Sequence, residues 1–305
     1  MHRSRYIKWT PALGAGTLGV IFLLYYALLG PEPDDGDIRF EIARILWASS
    51  SMILNVIMIW CIVASWKSIR RYAWHRLTPA HKTVGGAVAL GLLCGLGYML
   101  INQESVVGTQ SATLLDLLFA RVEHLEILIS INNLVGVIVI VSLLFAAISF
   151  FVDADEDDEV RFAARLRWFR LTFYSAGALA AVALYQFFRL YGWSALAGAA
   201  GIADPAEAEA ALRMSHALAT SIAMASGLIL SCLLALIFLP AALYLNAHFG
   251  RLVSASAQSE PNFNKATWME KYNIGTSPIA SLGSYAAVFL PSAVGFVAKI
   301  VDLVS

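Results

Sequence analysis

Residues 44–66 read RILWASSSMILNVIMIWCIVASW, and nothing charged falls between Arg44 and Lys67. A membrane-spanning helix needs about 20 mostly apolar residues, because the hydrocarbon is about 30 Å thick and a helix rises 1.5 Å per residue. This stretch is long enough. It also carries Ser51 and Asn55 at depths where polar side chains face protein or water more often than lipid. Outward from it, five further stretches qualify, at about 11–30, 83–101, 125–152, 171–191 and 214–246. A seventh, 278–304, contains Gly283, Ser284 and Pro291 and predicts a kinked span, a re-entrant segment or an interfacial helix.

Composition agrees with a chain built for lipid. Apolar residues make up 59% of the 305 and charged residues 14%, against roughly 45–50% and about 25% in soluble domains. Lys plus Arg balance Asp plus Glu at 21 each, which gives no basic surface for nucleic acid. Cys61, Cys94 and Cys232 sit singly in apolar runs, so neither a disulfide scaffold nor a CxxC metal site is available. The expected fold is therefore an all-α polytopic membrane domain over 1–249, with six transmembrane helices. They pair as hairpins at about 8–66, 82–152 and 170–249, followed by a polar interfacial tail at 250–277 and a C-terminal apolar helix at 278–305.

Orientation follows from the basic residues of the short connections. Fifteen Lys and Arg fall on one side: residues 1–11, the 67–82 and 152–170 links, and the tail. The alternate connections hold only Arg39, Arg44, Arg121 and Arg213, among many acids. The N-terminus is expected in the cytoplasm. The basic start lacks a small-residue cleavage site and runs into PEPDDGD (31–37), so the first span is read as uncleaved. An Ala-rich composition without a targeting segment points to a bacterial inner membrane. Trp9, Trp66, Trp168 and Trp193 fall near the expected interfaces, as belt residues do.

The second helices of the hairpins resemble one another. They read ARILWASSSMILN (43–55), ARVEHLEILISIN (120–132) and LRMSHALATSIAM (212–224). Aligned on Arg44, Arg121 and Arg213, they place Ser51 and Thr220 at +7 and Asn55 and Asn132 at +11. Offsets of 7 and 11 return to nearly the same helix face, so each helix carries a broken polar stripe. Three equivalent hairpins predict a pseudo-threefold axis along the membrane normal, with Arg44, Ser51, Asn55, Arg121, Asn132, Arg213 and Thr220 lining it. The simpler account is that intramembrane Asn fastens helices together. Glu123, Glu126 and Arg189 are expected in outer-face ion pairs.

His124 and His216 share the +3 position of the repeat and are candidate ligands for a b-type haem. A hydrogen-bonded interfacial His beside Glu123 is the plainer reading. The run DADEDDE (153–159) alternates acids like a calcium loop, but Asp158 and Ala164 stand where Gly and Glu are needed. It reads instead as a solvated turn before a basic helix whose Arg161, Arg165 and Arg167 snorkel to headgroups. No HExxH, GxSxG, Walker A, GxGxxG or CxxCH motif is present. In outline the three hairpins resemble mitochondrial carriers, but the Pro-x-Asp/Glu-x-x-Lys/Arg signature is missing from the odd helices, and nothing is carried across.

These features favour a membrane subunit, anchor or effector without catalytic chemistry, acting through a homo-oligomer or a membrane-complex partner. The alternatives are a pore or transporter for small anionic solutes and a haem electron carrier through His124 and His216. Apart from haem no cofactor is expected, and bound lipid is.

Overall fold

The computed structural model describes residues 38–72, 124–151, 158–200 and 202–274, isolated helical positions between 79 and 95, and a few residues between 115 and 122. Among these, every regular element is a helix and none is a strand. We number those with described bounds α1 (Ile38–Tyr72), α2 (Leu125–Ser149), α3 (Glu159–Ala199), α4 (Pro205–Ser259) and α5 (Lys265–Lys271). Helices α1 to α4 are each long and apolar enough to cross a membrane. They contain the stretches expected to span at 44–66, 171–191 and 214–246, and residues 125–149 of the one expected at 125–152. The stretches 11–30 and 278–304, and most of 83–101, lie outside the described residues, as do Arg121 and Glu123.

Local chemistry accounts for the helix starts. The Asp158 carboxylate accepts the Arg161 backbone N–H at 2.7 Å and opens α3. Asp204 does the same for Ala206 at 2.9 Å, with Pro205 in the first turn of α4, where its missing N–H costs nothing. Glu41, Glu126, Glu159 and Glu207 stand in the first turns of α1 to α4, complementing the positive end of each dipole. Helix α2 starts differently. It follows His124, which adopts the left-handed conformation at φ 64° and contributes no side-chain cap.

Contacts at the two ends fix the directions of the helices. Ser68 of α1 meets Ser149 of α2 at 3.3 Å, and Arg165 near the start of α3 donates to the Phe150 carbonyl at 3.4 Å. Phe162 of α3 stacks on Phe249 of α4 at that same end. At the far end, Arg39 of α1, Leu196 of α3 and Arg213 of α4 line one crevice. Thus α1, α2 and α4 run parallel and α3 runs against them. Helix α1 packs mainly on α3 and α2, α3 also packs along α4, and α2 touches α3 and α4 only lightly.

Two aromatic clusters hold the bundle. One gathers Phe150, Phe162, Phe169, Phe173, Phe238 and Phe249, with Phe169 and Phe238 edge-on at 6.2 Å. The other centres on Trp193, whose ring lies 5.5 Å from Phe40 and 5.7 Å from Trp47. Between them α3 presents Ala176, Gly177, Ala180 and Ala181, small side chains that let neighbouring backbones approach. The outward face of α4 is opposite in character. Ile229, Leu236 and Leu243, seven residues apart, are 67%, 75% and 52% exposed. An uncovered stripe of large aliphatics is unfavourable in water and natural in hydrocarbon. Together with the four long apolar helices, it points to a membrane location.

Two expectations need correction. Arg165 does not snorkel: it is 2% exposed and turned inward, while Arg161 and Arg167 are exposed. The inward turn follows from the α3 register, which puts position 165 on the same face as buried Phe162 and Phe169. Trp193 is fully buried in an aromatic cluster and is no belt residue. Helix α4 runs without a break through Gly250 to Ser259. The chain then turns, and α5 folds back so that Trp268, 4% exposed, packs on Phe249 and Phe263.

Candidate functional site

Three of the side chains singled out for chemistry, Ser51, Asn55 and Asn132, meet in a layer between the two aromatic clusters. Asn55 donates from Nδ2 to Asn132 Oδ1 at 3.0 Å, joining α1 to α2. The same amide nitrogen reaches the Ser51 carbonyl at 2.8 Å. One turn away, Gln186 of α3 donates from Nε2 to Ser51 Oγ at 3.1 Å. Toward the Ser68 end, Trp60 donates to Ser175 Oγ at 3.1 Å. With Ser68 and Ser149, these bonds link α1 to both of its main neighbours at successive levels.

The polar stripe of α1 is thus consumed in cross-helix bonds, and Ser51 and Asn132 are buried. Thr220, the corresponding residue of α4, is buried as well, but its hydroxyl donates back to the His216 carbonyl of its own helix at 2.9 Å. Helix α1 is not a principal neighbour of α4, whereas α3 packs on both.

The charged mouth is locally neutralised where it is described. Arg44 holds Glu41 through two bonds of 2.6 and 2.7 Å, and Arg213 lies 3.7 Å from Glu209. Arg189 meets an aromatic side chain. Its Nε donates to the Tyr185 hydroxyl at 2.9 Å, and its guanidinium lies 4.9 Å from the same ring's centre. Glu126 is exposed in the first turn of α2. His124 is exposed before α2, whereas His216 faces Gly192 across the α3–α4 contact. Among the described residues, no three His, Cys, Asp or Glu side chains gather in a way that could hold a metal ion.

Two spaces adjoin this layer. A cavity of about 320 Å³ opens between α1, α2, α3 and α4, walled by residues such as Leu54, Ile140, Ala180 and Leu234. Its polar lining is confined to Asn132, Asn133 and Gln186. At the Arg39 end, a wider crevice of about 1040 Å³ runs between the ends of α1, α3 and α4.

The partners Gln186 and Ser175, and the cavity-lining Asn133, carry no weight in the repeat alignment. A signal for two of them was nevertheless present. Ser175 and Gln186 stand 11 residues apart, the same one-face spacing that marks Arg44 and Asn55, but on an odd helix. Compared with family models, with curated proteins and with solved structures, this chain matches none.

Proposed function

We propose that this chain is a multi-pass membrane subunit without catalytic chemistry of its own, acting through contacts with further copies or with a membrane partner. The observation that carries this reading is the pairing of its intramembrane amides across helices, Asn55 with Asn132 and Gln186 with Ser51. A side chain that spends its hydrogen bonds on a neighbouring helix fastens the bundle and is not free to line a path. The position of α3 between α1 and α4 gives no support to a common axis of even-numbered helices.

The test is a flux measurement on protein reconstituted in liposomes loaded with chloride. The subunit reading expects no flux above empty vesicles, from the native chain or from Asn55→Leu and Asn132→Leu. Each substitution should lower stability by about 0.6–2 kcal/mol, the range for interhelical hydrogen bonds in membranes. Chloride flux that either Leu variant abolishes, in protein that still folds, sinks the proposal. One observation favours a second reading as a transport unit. The central cavity places three amides in an otherwise apolar wall, as a solute site would.

In the same proposal the chain has six spans in a bacterial inner membrane, with its N-terminus in the cytoplasm, on the strength of the basic bias of one set of connections. Reporter fusions after Gly36, Thr109 and Gly201 should then register outside, and fusions after His75 and Asp157 inside. A single clear inversion breaks the six-span topology.

A further inference from the structure

Among the described residues, the cavity between α1, α2, α3 and α4 has no ionisable side chain in its wall. A charged ligand would enter it without a counter-charge, at a high desolvation cost. Shape narrows the class further. The lining residues of α3 run from Ala176 to Leu190, which is about 21 Å of helix at 1.5 Å per residue. A volume of about 320 Å³ drawn out over that length leaves room for one extended chain and not for a globular solute.

The polar groups of this wall gather at one level. Gln186 donates to Ser51, and Asn132 accepts from Asn55 one turn further along α1. Gln186 and Asn133, the residue after Asn132, therefore differ in depth by roughly one helical turn. From there toward the Ser68 end the wall is apolar, through Met58, Ile140, Leu143, Leu179 and Leu234.

The amide of Gln186 is only half used. The residue is 5% exposed and its nitrogen is bonded to Ser51, yet no described residue donates to its carbonyl oxygen. Asn133 is half-buried on the same cavity, and its side chain makes no hydrogen bond with a described residue. Buried polar groups rarely stay unpaired. A hydroxyl supplies both the donor that the Gln186 oxygen lacks and the acceptor that the Asn133 nitrogen lacks. A bare hydrocarbon chain would fill the wall and leave both amides open. Water would pair with the amides and find no partner along the apolar stretch. A long-chain alcohol satisfies both parts.

We infer that this cavity binds one neutral long-chain lipid alcohol, with its hydroxyl between Gln186 and Asn133 and its chain extending toward Leu143 and Leu234. The inference goes beyond the subunit reading and does not rest on it, since lipid occupancy and chloride flux are separate measurements.

The test uses the full chain in phosphatidylcholine nanodiscs with 1-hexadecanol that carries a diazirine near the end of its chain. Cross-links mapped by mass spectrometry should fall within residues 137–143 of α2, 176–183 of α3 and 230–237 of α4. Labelling should saturate, and unmodified 1-hexadecanol should displace it at least about tenfold better than hexadecane or palmitate. Asn133→Leu should weaken binding by about three- to thirtyfold, the equivalent of one hydrogen bond in a membrane. Ala183→Leu, which puts bulk into the apolar stretch, should reduce labelling while circular dichroism shows the helices intact. Leu236→Ala, on the exposed face of α4, should leave labelling unchanged and serves as the control. Hexadecane competing as well as hexadecanol, with native labelling in Asn133→Leu, overturns the alcohol assignment, since any chain would then serve. Stronger competition by palmitate overturns the neutral character of the ligand. Cross-links confined to exposed residues such as Leu228 and Leu236, or labelling that never saturates, overturn the site itself.

Discussion

Replacing Phe238 with Ala should lower the unfolding free energy by about 3 kcal/mol, the low end of the range for Phe→Ala in buried cores. Phe238 is fully buried and meets Phe169 and Phe173 edge-on, at 6.2 and 5.5 Å. In a bilayer no transfer from water is lost, because lipid tails are as apolar as the ring, so only the packing and the cavity count. Those terms are not small here: two aromatic contacts of about 0.5–1.5 kcal/mol each disappear, and the site is enclosed on every side. The neighbouring residue provides the internal control. Leu239 is 40% exposed, and Leu239→Ala exchanges one aliphatic surface facing lipid for another, at a cost of under about 1 kcal/mol. Reversible unfolding in mixed micelles, followed by near-ultraviolet circular dichroism, measures both. Equal losses at 238 and 239 would mean that α4 does not present Phe238 inward and Leu239 outward.

How far the sequence reaches can be judged from particular residues. Length and hydropathy mark α1 to α4, because a span is a local property of about 20 consecutive side chains. The Asp158 and Asp204 caps are also local, an acid immediately before a helix. The partnership of Asn55 with Asn132 was half visible. Both lie at the same depth on parallel helices, and the repeat alignment put them there; of the two readings weighed, an axial stripe and intramembrane Asn as a helix fastening, the second is the one that names such a pairing. The choice of neighbour is not encoded in a helix's own periodicity. It depends on where small residues let another backbone come close, and α3, with its Ala and Gly stretch, takes the place beside α1 that the repeat reserved for even helices. Arg165 and Trp193 were misplaced for a related reason. Each belongs to a class that usually sits at the interface, and only the packing of neighbouring aromatics shows them turned inward.

Ser51→Leu is the substitution that best separates a fastened stripe from an open path, with an expected loss of about 3 kcal/mol. Ser51 is fully buried, and its hydroxyl accepts the bond that Gln186 donates from Nε2, an amide whose residue is itself 5% exposed. Leu at this position acts twice. It removes the acceptor, leaving a buried amide at a cost of about 1–3 kcal/mol, and it forces a larger side chain between α1 and α3, at a similar cost. Ser51→Ala removes only the acceptor and should cost about 1 kcal/mol. The pair Ser51→Ala/Gln186→Leu then takes away both polar partners, so it should recover most of that loss. If Ser51 instead faced a water-filled path, Leu would find room and leave no orphan, since water would solvate Gln186. Ser51→Leu would then fold almost as well as the native chain, and the cycle at 51 and 186 would be additive. Non-additivity of about 0.6–2 kcal/mol, with the single Leu variant the least stable of the set, is the outcome that a bundle fastened through its polar layer requires.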